Sequence, residues 1–188
     1  MGKMMGNGSD VVSFLKEQHE QIKTLFGTVA ATRGKERANA FYALRRLLAV
    51  HETAEEEIIH PAARRALPQG EAVIEARLRE EKQAKKLLVE FEKLDFDSPA
   101  FESQLRTLEL AVVAHADAEE REELERLAVT LEPARLDRMR RAAELAELMA
   151  PTRPHPGVES AAANLLIGPF ASMLDRARDV LSGKTGKA

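Results

Sequence analysis

Two His-x-x-x-Glu pairs, His51 with Glu55 and His115 with Glu119, each interrupt a stretch whose apolar residues recur every three or four positions. Positions i and i+4 lie one turn apart on the same helical face, so each pair aims an imidazole and a carboxylate at one point in space. A fold that uses both pairs brings two helices face to face.

The rest of the sequence reads as helix almost everywhere. Ala, Leu, Glu, Arg and Lys are abundant, aromatics make up 4%, and no segment reads as a strand. In helix 1, with Asp10 as N-cap, Val11, Phe14, Leu15, Gln18, His19, Ile22, Leu25, Phe26 and Val29 trace the inner stripe. Helix 2 runs from about Glu36, with Phe41, Leu44, Leu48, His51, Glu55, Ile58 and Ile59 inward, and Pro61 is expected to kink or end it. After the turn at Pro68-Gln69-Gly70, helix 3 carries Ile74, Leu78, Glu81, Ala84, Leu88 and Phe91 on one stripe. Ser98-Pro99 caps helix 4, whose stripe is Leu105, Leu108, Val112, His115, Glu119, one of Glu122 or Glu123, and Leu127.

Long helices joined by short turns pack antiparallel, so the expected fold is all-α: an up-down four-helix bundle over residues 10–130. A C-terminal helical extension is expected over 131–182, with a helix from Pro133 to Met149, a stiff Pro-rich linker at 151–156 and a last amphipathic helix from Ala161 to Leu181. Residues 1–9 and 183–188 are expected to be disordered. The last helix could cover the bundle or a second subunit, which would make a homodimer.

Composition excludes several functions. Lys plus Arg number 28 against 31 Asp plus Glu, interspersed, so the net charge of −3 offers no basic surface for nucleic acid. Without cysteine there are no disulfides, thiolate metal sites or cysteine nucleophiles, which fits a reducing cytosol, and metal ligands must be His, Asp, Glu or Tyr. No apolar run approaches the roughly 20 residues of a spanning helix, and the start, MGKMMGNGSD, lacks the hydrophobic stretch of a secretion signal. A cytoplasmic protein that uses no membrane is the expectation.

In each of the four stripes the apolar pattern is interrupted by a residue able to bind metal: His19, then His51 and Glu55, then Glu81, then His115 and Glu119. The intervals are 32 residues from His19 to His51, 30 to Glu81 and 34 to His115, which in an up-down bundle returns the chain to the same height once per helix. Carboxylates facing an apolar interior without partners are costly, so a layer of three needs cations. Six nitrogen and oxygen donors exceed one closed tetrahedral zinc and suit two octahedral ions with open positions, of Fe, Mn, Zn or Co. The bland alternative is a set of polar residues at the edges of core stripes, hydrogen-bonded or reaching to water. His60 lies five residues beyond Glu55, off the ideal stripe but just before Pro61, where a distorted helix could turn it inward as a further ligand or a proton donor. Tyr42, the sole tyrosine, reads as packing, and His155, among prolines, as structural or exposed.

The sequence resembles the hemerythrin-like, or HHE cation-binding, four-helix bundles from about Asp10 to Ala128. The resemblance rests on Phe14-Leu-Lys-Glu-Gln-His19-Glu-Gln-Ile22, on His51-Glu-Thr-Ala-Glu55-Glu56 followed by Pro61, and on His115-Ala-Asp-Ala-Glu119-Glu120. It implies His19, His51 and His115 as terminal imidazole ligands, and Glu55 and Glu119 as carboxylates that bridge or cap two iron ions, oxo- or hydroxo-bridged. The ligand set would equally accept manganese. The pattern departs on helix 3, where the family usually places histidine and this chain reads Arg79-Glu80-Glu81-Lys82. The simplest alignment puts Lys82 in that column, whereas helical phase favours Glu81, with Glu80 as the substitute.

A reversible oxygen carrier of this family uses a more histidine-rich site than this chain offers. A carboxylate-rich site stabilises the ferric state and resembles di-iron centres that activate oxygen or consume peroxide. Removal of hydrogen peroxide is therefore the first expectation, with a non-catalytic oxygen, nitric oxide or iron sensor acting through the C-terminal helices as the second. A metal-free helical interaction module is a third.

Overall fold

The structure, a computed structural model, describes the backbone of residues 10–149 and side chains through residue 145. The linker at 151–156 with His155, the helix expected over 161–181, the terminal stretches and any dimer contact made there lie outside the described residues. Among the described residues there is no strand.

Four helical rods form the bundle. The first is α1 (Val11–Ala31); the second is α2 (Gly34–Ala54), which passes through a π-helical turn (Glu55–Ile59) into α3 (His60–Ala66). The third is α4 (Gly70–Glu90), ending in a 3-10 turn (Phe91–Lys93). The fourth is α5 (Pro99–Glu119), which passes through a second π-helical turn (Glu120–Leu124) into α6 (Glu125–Thr130). Contacts of α1 with α2 and α5, and of α4 with α3 and α5, close the ring, and α7 (Pro133–Met149) lies against α1, α2 and the first π turn.

The ends of the rods follow local chemistry. The Asp10 carboxylate accepts the Ser13 N–H at 2.9 Å and the Ser98 hydroxyl accepts the Phe101 N–H at 3.1 Å, each meeting one of the donors a helix start leaves without a partner. Between α3 and α4, Gln69 takes a left-handed conformation (φ 59°), and a Cβ on Gly70 would collide with the Ala63 carbonyl, so only glycine fits that close approach.

Pro61 does not end its rod, although an end there is one of the two outcomes expected from the sequence. The π turn ahead of it absorbs the irregularity: the His60 N–H reaches back to the Glu55 carbonyl, and the rod continues to Ala66. A turn closed by i→i+5 bonds holds one residue more than an α-turn, so the position five residues on returns to the same face. The irregularity thus turns side chains inward instead of breaking the rod.

Two apolar clusters fill the interior. One contains Ile22, Phe26, Phe41, Leu44, Leu48, Ala84, Phe91, Phe101 and Val112. The other contains Val11, Leu15, Ala54, Ile58, Ile59, Ala63, Ile74 and Leu124, together with Leu136 and Met139 of α7. Between them lies a polar layer, since along α1 the order is Leu15, then Gln18 and His19, then Ile22, and the other rods repeat that sandwich.

Candidate metal centre

The expected ligands reach this layer from all four rods, His51 with Glu55 on the second and His115 with Glu119 on the fourth. His19, His51, Glu55, Glu81 and Glu119 are all at most 3% exposed, and His115 is partly buried. Ligand atoms of His19, His51, Glu55 and Glu119 all fall within 4.8 Å of one another, and so do those of Glu55, Glu81 and His115. Glu55 belongs to both groups.

The imidazoles share one orientation. Each is held from behind at Nδ1, by Glu120 at 2.8 Å for His19, by the Gln18 side-chain oxygen at 2.8 Å for His51 and by Glu80 at 3.0 Å for His115. Each Nε2 faces the layer: His51 Nε2 lies 2.7 Å and His19 and His115 Nε2 3.9 Å from Glu55 oxygens, and His19 Nε2 lies 3.2 Å from Glu119. These approaches lack hydrogen-bond geometry. All three Nε2 atoms, both oxygens of Glu55, both of Glu119 and Oε2 of Glu81 are buried without a hydrogen-bond partner. Buried polar atoms are ordinarily satisfied, so so many converging orphans indicate a missing partner of positive charge. An imidazole anchored at one nitrogen with the other aimed at an acidic centre is the arrangement of a metal-binding histidine.

The electrostatics agree. Burial opposes charge on His19, but the adjacent Glu119 and Glu55 carboxylates outweigh it and raise its pKa to about 10. His115 likewise resists burial through Glu55 and Glu80 and rises to about 11. For His51 burial prevails over Glu55 and lowers the pKa. Burial would raise Glu55, but His51, His115 and His19 together hold it well below the usual carboxylate range. Burial and the neighbouring Glu55 push Glu119 up to about 8. Without a cation, then, the layer holds protons to balance its carboxylates.

On α4 the structure separates two neighbours that the sequence leaves competing. Glu81 faces the layer, Glu80 holds His115 from outside, and Lys82 is exposed. His60 is buried but stands apart from both ligand groups: its Nε2 lies 2.9 Å from Glu81 and its Nδ1 3.0 Å from Glu123, so both ring nitrogens are engaged. Of Glu122 and Glu123, the second π turn buries Glu123 completely. Tyr42 is half-exposed beside Phe96, away from the layer.

Sequence reasoning passed over the residues that hold the rings. Gln18, Glu80 and Glu120 each sit beside an assigned ligand in the sequence or in the fold, and among so many glutamates only the folded register shows which is used. Lys85 is a further unforeseen member, its ammonium 3.3 Å from Glu52 and 3.6 Å from Glu81 and paired with Glu56. A small cavity against the three imidazoles is lined by Ile22, Leu48, Ala84 and Val112, with Lys23, Glu52 and Glu81 also in its wall.

Fold and layer together define a helical bundle with an internal cation-binding centre. The chain matches the hemerythrin HHE cation binding domain over residues 10–127, and it belongs to that family. Among solved structures, a hemerythrin HHE cation binding domain-containing protein from Mycobacterium kansasii aligns with a TM-score of 0.67 at 22% identity, covering 75% of this chain and 86% of the other. That likeness carries the fold. No curated protein matches the chain. Membership implies a metal-binding protein, with iron the typical ion, and the orphaned donors of the layer fit such a group.

Proposed function

We propose that the layer holds two iron ions that share Glu55, and that the protein reduces dioxygen or peroxide there, with removal of hydrogen peroxide as its first activity. The observation that supports this is the convergence of three outward-anchored imidazoles on two buried, unpartnered carboxylates, in two groups with Glu55 in common. His19, His51 and Glu119 would hold one ion, and Glu81 and His115 the other. Bound there, iron supplies a redox couple and open coordination positions for a small oxidant.

The chain's own residues do the rest. Glu120, Gln18 and Glu80 fix the rings, so the donor atoms need little reorganisation when the site fills. Ile22, Leu48, Ala84 and Val112 wall the adjacent cavity with hydrocarbon, which admits a small uncharged molecule and disfavours anions. No histidine stands in the inward position of α4, and the carboxylate there adds negative charge that favours the higher oxidation state.

A sensor of oxygen, nitric oxide or iron is the second reading, favoured by α7 lying directly against the π turn that carries Glu55. The two separate cleanly. Iron-loaded wild-type protein should consume hydrogen peroxide catalytically, and Glu55→Ala should not. Iron-loaded protein that binds nitric oxide or oxygen but fails to turn over peroxide contradicts the enzyme reading and leaves the sensor.

A further inference from the structure

Among the buried polar residues that the ligand assignment does not use, His60 and Glu123 both owe their place to a π turn. His60 follows the first, and Glu123 lies within the second. They join Glu81 in one chain of contacts across three rods, with His60 Nε2 2.9 Å from Glu81 Oε1 and His60 Nδ1 3.0 Å from Glu123 Oε1. All three are nearly inaccessible, at 2% exposure for His60 and Glu81 and none for Glu123. This cluster surrounds Glu81 on α4, the one rod that supplies no imidazole to the layer.

We infer that His60 and Glu123 act as a positioning pair for Glu81, holding this carboxylate as the ligand that completes the second cation position. The inference rests on the two-ion reading above. An aspartate or glutamate on a flexible stem presents two equivalent oxygens and many rotamers, whereas an imidazole is anchored and planar. His60 removes that freedom. By donating to Oε1 it fixes the rotamer of Glu81 and leaves Oε2 without a hydrogen bond, 3.6 Å from the Lys85 ammonium. Glu123 in turn occupies Nδ1, so the ring can neither flip nor swing away without stranding a buried acceptor. Because both ring nitrogens are engaged, His60 serves the centre through Glu81 and does not itself bind the ion. The arrangement mirrors what Glu120, Gln18 and Glu80 do for the three imidazoles, with the roles exchanged: there a polar side chain orients a histidine, here a histidine orients a carboxylate.

The test is an anaerobic titration of metal-free full-length protein with ferrous iron, resolving the first and second equivalents. Wild type should take up two. His60→Leu and Glu123→Leu should each weaken the second equivalent roughly 10- to 100-fold, the usual effect of removing a partner that orients a ligand, and leave the first unchanged. The double variant should lose no more than His60→Leu alone, since the two residues form one unit. His60→Gln, which keeps an N–H donor for Glu81, should recover part of the loss. Circular dichroism and melting of the metal-free variants check the fold, and if the leucine variants do not fold, His60→Gln must still show a smaller loss confined to the second equivalent. Equal weakening of both equivalents, or two equivalents as in wild type, overturns the inference. A wild-type protein that takes up one equivalent or none instead overturns the two-ion reading, and with it any second position to complete.

Discussion

Two deeply buried polar assemblies of this chain are opposites. Near the α1–α2 turn, Arg37 is completely inaccessible, yet its guanidinium donates to the carbonyls of Val29 at 3.1 Å, Thr32 at 2.7 Å and Phe96 at 2.7 Å and meets Glu102 at 3.3 Å. It ties the α1–α2 turn to the loop before α5 and lies over Phe101, beside an aromatic cluster of Phe41, Phe91, Phe96 and Phe101. In the central layer, by contrast, the donor atoms of His19, His51, His115, Glu55 and Glu119 are just as buried and have no hydrogen-bond partner. One assembly is complete within the chain. The other has the form of a binding site, and the difference shows that burial alone does not mark function: unmet polar demand does.

The comparison breaks most visibly at Glu55. Glu55→Ala should reduce bound iron from two ions per chain to none, because both ligand groups contain this residue. Its metal-free melting temperature should fall as well, since protonated His19 and His115 lose the buried carboxylate that faces them. Elemental analysis and a melting curve check both halves.

At the self-sufficient end stability alone should respond. Phe101→Ala should cost about 3–5 kcal/mol in urea denaturation by emptying a fully buried site, while iron per chain stays at the wild-type value. Arg37→Met should cost about 2–3 kcal/mol, because one buried and two part-buried carbonyls lose their donor, again without loss of iron.

A smaller effect concerns protons. In the metal-free chain His19 and His115 have pKa values of about 10 and 11, so both are protonated at neutral pH and must lose a proton to bind a metal. Iron binding should therefore release protons, and affinity should fall as pH falls. Calorimetry in buffers of different ionisation enthalpy measures the release, and uptake of iron without proton release would contradict this picture. The smallest effect marks the baseline: Val129→Ser, at 86% exposure, should change stability by no more than about 0.5 kcal/mol and iron binding not at all.

The helices, their order and the inward layer were legible because they depend on a period that a sequence displays directly. His19, His51, Glu55, Glu81, His115 and Glu119 each continue an apolar stripe with α-helical phase, and five of the six are fully buried. What was not legible begins where that period changes. Extrapolating 3.6 residues per turn through Glu55–Ile59 sends His60 off the stripe unless the helix distorts before Pro61. The sequence leaves open both that distortion and whether Pro61 kinks or ends the rod; the π turn supplies the distortion and the rod continues. The choice between Glu122 and Glu123 stayed open for the same reason. The partners behind the rings were hidden differently, since Glu120 meets His19 from a rod far away in sequence and nothing in local pattern selects it from its acidic neighbours.

The central claim is that the unpartnered donors of the layer exist to bind metal. Protein purified from iron-supplemented cells, with metal per chain measured beside its visible spectrum, tests it most directly. The account predicts two irons per chain and oxo-to-iron charge-transfer bands, both lost in Glu55→Ala. A colourless wild-type protein with no tightly held metal would contradict it, and would make the layer a set of protonated polar residues in a helical interaction module.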